Sequence, residues 1–119
     1  MTKSSRQTDI GLLRGRQLEM LCFAPYSLYL HFGDKIILTI EGRFHHRIKG
    51  EPQSDREYSF PIQETDLVRL LGERITGVKT VAKACLRLTF AHGDELVIEG
   101  GEGPYESYQL QHDGERIVV

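Results

Sequence analysis

Cysteine is scarce in this chain: the 119 residues hold two, Cys22 and Cys85, with no CxxC spacing between or around them. That excludes a paired-cysteine zinc module. The two thiols are expected to be reduced and partly buried, a single disulfide being the alternative. Tryptophan is absent, and proline occurs four times. No apolar run approaches the ~20 residues of a membrane span. The opening MTKSSRQTDIG lacks the apolar stretch that a signal peptide requires. A cytoplasmic chain with no membrane partner is therefore expected. One-sided charge is missing too: 15 Lys and Arg against 17 Asp and Glu leave a net charge of −2, which makes a nucleic-acid partner an unlikely default.

Catalytic signatures are also wanting. Ser27, Ser59 and Ser107 stand in no GxSxG elbow, and the cysteines have no partner histidine in a recognisable pattern. Gly100-Gly101-Glu102-Gly103-Pro104 is rich in glycine but has neither the lysine nor the following helix of a phosphate loop. His45 and His46 are adjacent, and adjacent residues of a strand point to opposite faces, so they make no metal pair without an HxH or HExxH spacing. Glu41 and Glu99 occupy matching places and could form an acid–base pair only if the fold brought them together. Read as outward residues before a glycine, they are solvated strand ends. No catalytic residue, metal or cofactor is expected, and the chain reads as a non-enzyme.

What the sequence does contain is repetition. Leu28 to Gly42, LYLHFGDKIILTIEG, is echoed at Leu86 to Gly100, LRLTFAHGDELVIEG, at a constant offset of 58. Leu28, Leu30, Phe32, Leu38 and Ile40 fall on Leu86, Leu88, Phe90, Leu96 and Ile98. Each copy reads as a half-buried antiparallel hairpin: apolar residues recur every second position, and a Gly-Asp dipeptide marks the turn. Ile37 is the exception, an apolar residue in the outward phase. An earlier echo sets Gly15 on Gly72 and Leu18 on Ile75 at offset 57, so one residue is inserted between there and Leu86.

At this length one domain is expected, spanning 1–119, with pseudo-repeats at 12–44 and 70–102. Residues 50–57 read as a polar loop. The only helical signal is a short segment over 65–71, with Thr65 or Asp66 as N-cap and Gly72 as terminator. The fold class is mainly β (α+β with one short helix), two pseudo-repeated strand-hairpin units packed as a sandwich or barrel-like sheet. Further strands are expected at Tyr105 to Gln111 and Arg116 to Val119, the second entered through the turn signal Asp113-Gly114.

Leu70, Gly72, Ile75, Leu86, Leu88, Phe90, Gly93, Asp94, Leu96 and Ile98, with Tyr105-Glu106-Ser107-Tyr108, resemble a family of small, functionally uncharacterised bacterial, largely actinobacterial, β-rich proteins with LxGxxL, LxLxF, Gly-Asp and LxIEG motifs. Tyr108 stands where that family more often has tryptophan. The resemblance implies a fold over residues 12–119 and no activity.

Two stretches then carry the candidate sites. Arg43, His45, Arg47 and Lys49 form one basic patch around Phe44, an arrangement that could meet a phosphate backbone or a small ligand, or could be a solvated strand. Charge is also split along the chain. Residues 1–89 hold 14 basic and 10 acidic residues, net +4, whereas residues 90–119 hold one and seven, net −6. Glu99, Glu102, Tyr105, Glu106 and Tyr108 fall in the acidic part, and tyrosines rimmed by carboxylates suit a basic protein partner. The sequence thus points to a protein-binding domain, with an immunity-type neutraliser of a basic toxin as the sharpest form. A small-ligand or nucleic-acid module and a structural, self-associating domain that forms a homodimer are the alternatives.

Overall fold

A computed structural model of the chain describes residues 11–33, 35–50, 55–62, 65–81, 85–99, 108–112 and 115–118. The side chains of 81, 112 and 115–118 lie outside that description. Ten strands follow one another: β1 (Leu18–Ala24), β2 (Ser27–Phe32), β3 (Ile36–Ile40), β4 (Phe44–Arg47), β5 (Asp55–Tyr58), β6 (Ile75–Val81), β7 (Cys85–Phe90), β8 (Glu95–Ile98), β9 (Tyr108–His112) and β10 (Glu115–Val118). They form two antiparallel five-stranded sheets, ordered β1-β2-β3-β9-β10 and β5-β4-β8-β7-β6. The fold is a two-sheet sandwich, mainly β as its alternation requires, and of the two closures open to the sequence it takes the open one.

The alternation is fully used. Leu28, Leu30, Phe32, Ile36, Leu38 and Ile40 of the first copy are buried, as are Leu86, Leu88, Phe90, Leu96 and Ile98 of the second, all in one core cluster. Each such side chain contributes about 1.5–3 kcal/mol when removed from water. The inserted residue falls between β6 and β7: two residues separate β1 from β2, and three separate β6 from β7.

The halves are exchanged as well as stacked. The hairpin β4–β5, which follows the first copy, joins the second sheet through β8, and β9–β10, which follows the second copy, joins the first sheet through β3. At the seam between the sheets the contacts are reciprocal. The Gly15 N–H donates to the Ile75 carbonyl at 2.7 Å, and the Gly72 N–H donates to the Leu18 carbonyl at 2.7 Å. Gln17 Nε2 donates to the Gly72 carbonyl and Arg74 Nη1 to the Gly15 carbonyl, both at 2.9 Å. Gln17 and Arg74 themselves form an isolated bridge, which puts the local two-fold axis between them. Gly15 at φ 85° and Gly72 at φ 84° occupy the left-handed region that glycine enters without steric cost.

Two expectations need correction. The helix over 65–71 is a single 3₁₀ turn, Leu67–Leu70. The segment is too short to hold an α-helix before Gly72 ends it, and it persists because Leu67 and Leu70 are buried. Of its two candidate caps, Thr65 acts: its Oγ1 accepts from the Leu67 N–H at 2.9 Å. The polar loop 50–57 is half strand, since Asp55–Tyr58 is β5, an edge strand with three exposed residues that pairs with β4. Backbone pairing along an edge does not need an apolar face, so alternation could not reveal it.

Candidate interaction face

The register of the two sheets sorts every outward residue into rows. In the second sheet one row runs Lys79, Arg87, Val97, His45, Glu57, and the next runs Gly77, Thr89, Glu95, Arg47, Asp55. The basic patch of β4 therefore lies between two strands that carry carboxylates. Arg43 Nε is 3.1 Å from Glu57 Oε2. His45 Nδ1 is 3.2 Å from Asp55 Oδ1, and its Nε2 is 2.8 Å from Glu99 Oε2. Arg47 lies 3.8 Å from both Asp55 and Glu95. Lys49 lays its stem against Gly93, and its N–H donates to Asp94 Oδ1. Candidate residues from two separate stretches thus meet on one face, with Glu99 serving His45.

Of the acidic candidates, the two among the described residues part, Glu99 to the outer face and Tyr108 to the core. Tyr108 is a core residue, 1% exposed, opposite Ile40, so its ring faces the interior and is not offered to a partner. Burial, with a smaller effect from the Cys85 thiol, pushes its hydroxyl up to about 12. Glu102, Tyr105 and Glu106 lie outside the described residues. Glu41 and Glu99 follow strands of different sheets, and each meets the side chain at the matching place of the next hairpin: Gln109 Nε2 donates to Glu41 Oε1 at 3.3 Å, as His45 meets Glu99. Cys22 and Cys85 are both free thiols of intermediate exposure. A shallow cleft of about 630 Å³ is lined by Arg56, Glu57, Tyr58, Thr65 and Asp66. Its polar groups are engaged with one another, Arg56 with Asp66 at 2.8 Å and Thr65 with the Tyr58 hydroxyl at 3.1 Å.

The outer face of the first sheet is of a different kind. Over its first four strands the corresponding rows are Cys22, Tyr29, Thr39, Gln109 and Met20, His31, Ile37, Gln111, and the register continues them to Val118 and Arg116 on β10. Over β1, β2, β3 and β9 these positions hold no Lys, Arg, Asp or Glu. The comparison is position for position, because the halves are equivalent: Cys22 matches Lys79, Tyr29 matches Arg87, Ile37 matches Glu95, and Gln111 matches Arg47. Met20 on this face is 46% exposed, and Phe23 and Tyr26 at its margin are 48% and 74% exposed. Depletion of charge with aromatic, methionine and amide groups is the composition of the centre of a protein interface.

One further cluster was hidden from motif reasoning. His46, in the inward phase of β4, is fully buried, as is Asp94. His46 Nε2 donates to Asp94 Oδ2 at 2.8 Å, and Arg69 clamps the carboxylate through Nε at 2.8 Å and Nη2 at 3.1 Å. Burial by itself would raise the Asp94 carboxyl. The hydrogen bonds from Arg69, the Lys49 N–H and His46 outweigh it and hold that carboxyl well below the usual range. Burial lowers His46, against the pull of Asp94. The signal in the sequence was phase alone: His46 lies between Phe44 and Ile48, and Asp94 stands two places before Leu96. This cluster ties β4, the 3₁₀ turn and the β7–β8 turn together, and its two buried members are closed to any substrate.

Comparison with protein-family models, curated proteins and solved structures gives no match. No helix among the described residues is long and apolar enough to cross a membrane.

Proposed function

We propose that this chain is a non-enzymatic protein-binding domain whose recognition surface is the uncharged outer face of the β1-β2-β3-β9 sheet. The observation that carries the reading is the contrast between equivalent positions: a scaffold that places Lys79, Arg87, Glu95 and Arg47 on one face places Cys22, Tyr29, Ile37 and Gln111 on the other. Burying an unpaired charge is costly, so the partner that fits is a protein surface uncharged at its centre and able to hydrogen-bond Gln109, Gln111, Tyr29 and His31.

The second half suggests the substitutions for a test. Tyr29→Arg and Ile37→Glu install the residues that the scaffold already accepts at Arg87 and Glu95, so the fold should survive. The native chain is used to isolate its partner from the host cell. Binding of that partner is then measured by calorimetry with each variant. Loss of binding at an unchanged melting temperature supports the face. Full binding by both variants sinks it.

The toxin-neutralising form of this reading adds one feature, the net charge of −6 over residues 90–119, which would steer a basic partner and raise its on-rate. Charge reversal at Glu102 and Glu106 should then slow association and flatten its salt dependence, and unchanged kinetics would remove that form. Nucleic-acid binding has less support, because carboxylates stand beside Arg43, His45 and Arg47.

A further inference from the structure

The first sheet ends on β1, and past the irregularity between Leu18 and Met20 β1 lacks the devices that keep sheet edges apart. Natural edges carry lysine, proline or inward charge so that they do not template another chain. The equivalent edge β6 follows that rule: Lys79 stands at the place of Cys22, and Gly77 at the place of Met20. On β1 the one charged residue is Glu19, at the irregularity between Leu18 and Met20. From there to Ala24 the strand is regular, and among the described residues no hydrogen bond reaches its outer edge beyond Leu18.

The ladder fixes which groups that edge offers. Ala24 and Ser27 flank the two-residue turn Pro25-Tyr26, and the pair flanking such a turn is hydrogen-bonded. Alternation then directs Ala24, Cys22 and Met20 toward β2 and leaves the N–H and C=O groups of Leu21 and Phe23 facing outward. We propose that this edge pairs with β1 of a second copy of the chain, antiparallel about a two-fold axis at Cys22.

The register follows from overlap and parity. Only a pairing centred on Cys22 superposes the whole regular stretch 20–24 on itself while matching outward groups to outward groups. Leu21 then pairs with Phe23 of the other copy, and Phe23 with Leu21, giving roughly four main-chain hydrogen bonds, two per bonded pair. No charged residue stands opposite its own kind. Glu19 falls beside Pro25, and the two Glu19 side chains lie roughly 20 Å apart at ~3.3 Å per residue. The half-exposed Met20 and Phe23 are covered, and the two uncharged faces become one surface across eight strands, β1, β2, β3 and β9 of each copy. This pairing uses the edge and stands apart from the partner proposed for the face.

A non-hydrogen-bonded antiparallel pair has its Cα atoms about 4.5 Å apart, inside the range a disulfide spans. Cys22 is therefore a reporter of the register. Sedimentation of the full chain under reducing conditions should show a concentration-dependent dimer. Mild oxidation with diamide should yield a covalent dimer that is lost in Cys22→Ser and kept in Cys85→Ser. Cys22→Lys, which copies β6, should abolish the dimer, since like charges would then face each other across the axis, and should leave the melting temperature unchanged at concentrations where the native chain is monomeric. A monomer at every concentration overturns the proposal, as does a cross-link that runs through Cys85 or a dimer that survives Cys22→Lys. Tyr29→Arg should leave the dimer intact, so failure of the edge and failure of the face are told apart.

Discussion

Asp94 and His46 occupy positions that the other half of the molecule fills with Ile36 and Leu110, and Arg69 matches Leu12. One end of the sandwich is thus closed by apolar packing and the other by a buried carboxylate with three donors, Arg69, His46 and the Lys49 N–H. Removing one member of such a group leaves the others buried without a counter-charge, whereas replacing all of them with well-packed apolar residues is often neutral. Asp94→Asn should accordingly cost about 3 kcal/mol in urea unfolding. The triple variant Arg69→Leu, His46→Leu, Asp94→Ile, which copies the opposite end, should recover most of that loss. A triple variant less stable than Asp94→Asn would contradict the equivalence.

The same residues set the response to acid. His46 is lowered in the fold, so the unfolded chain binds its proton first. Its contribution is complete above about 6.5, the unfolded value, and declines as pH falls below it. Asp94 is lowered as well. Its contribution is complete above about 4 and is lost as pH falls toward the depressed native value. Stability should therefore decrease in two stages on acidification. His46→Leu should flatten the stage beginning near 6.5 and leave the lower one in place, which denaturant titrations across pH would resolve.

At the scale of elements, the turns show how a shared dipeptide can mislead. Gly33-Asp34 and Gly93-Asp94 look alike, but in the repeat alignment Gly93 falls on Lys35 and Asp94 on Ile36. The left-handed position of each hairpin is the same one, Lys35 at φ 61° and Gly93 at φ 106°. The first copy places a lysine where the second places the residue suited to it. Lys35→Gly should stabilise the protein by up to ~1 kcal/mol, since a left-handed side chain costs about that much. Gly93→Ala should do the reverse by at least ~1 kcal/mol, because its Cβ would also meet the Lys49 side chain. Thermal unfolding of the two variants gives the comparison, and shifts of the same sign would refute the assignment.

At the scale of the molecule, neither half can close its own sheet. β3 finds its neighbour in β9 and β8 finds its neighbour in β4, so each sheet takes three strands from one half and two from the other. A fragment of residues 1–64 should not fold as a monomer. It should be disordered by circular dichroism, or should assemble as a symmetric dimer in which β4–β5 of each copy pairs with β3 of the other. A folded monomeric fragment would show that the exchange is dispensable.

The alternation of Leu28, Leu30, Phe32, Leu38 and Ile40, and its echo at Leu86 to Ile98, determined from the sequence alone that the chain is mainly β, duplicated and closed around one core. Period-two burial is a local property, legible residue by residue. The same parity placed His45 and His46 on opposite faces. What the outward residues do was not legible, because an outward residue takes its meaning from the strand beside it. Only the tertiary pairing put Glu57, Asp55 and Glu99 against the cations of β4, drew Tyr108 into the core, and set Tyr29 and Ile37 on a face without charge. Those neighbours are brought together by strands far apart in the chain, and no spacing along the sequence encodes that order.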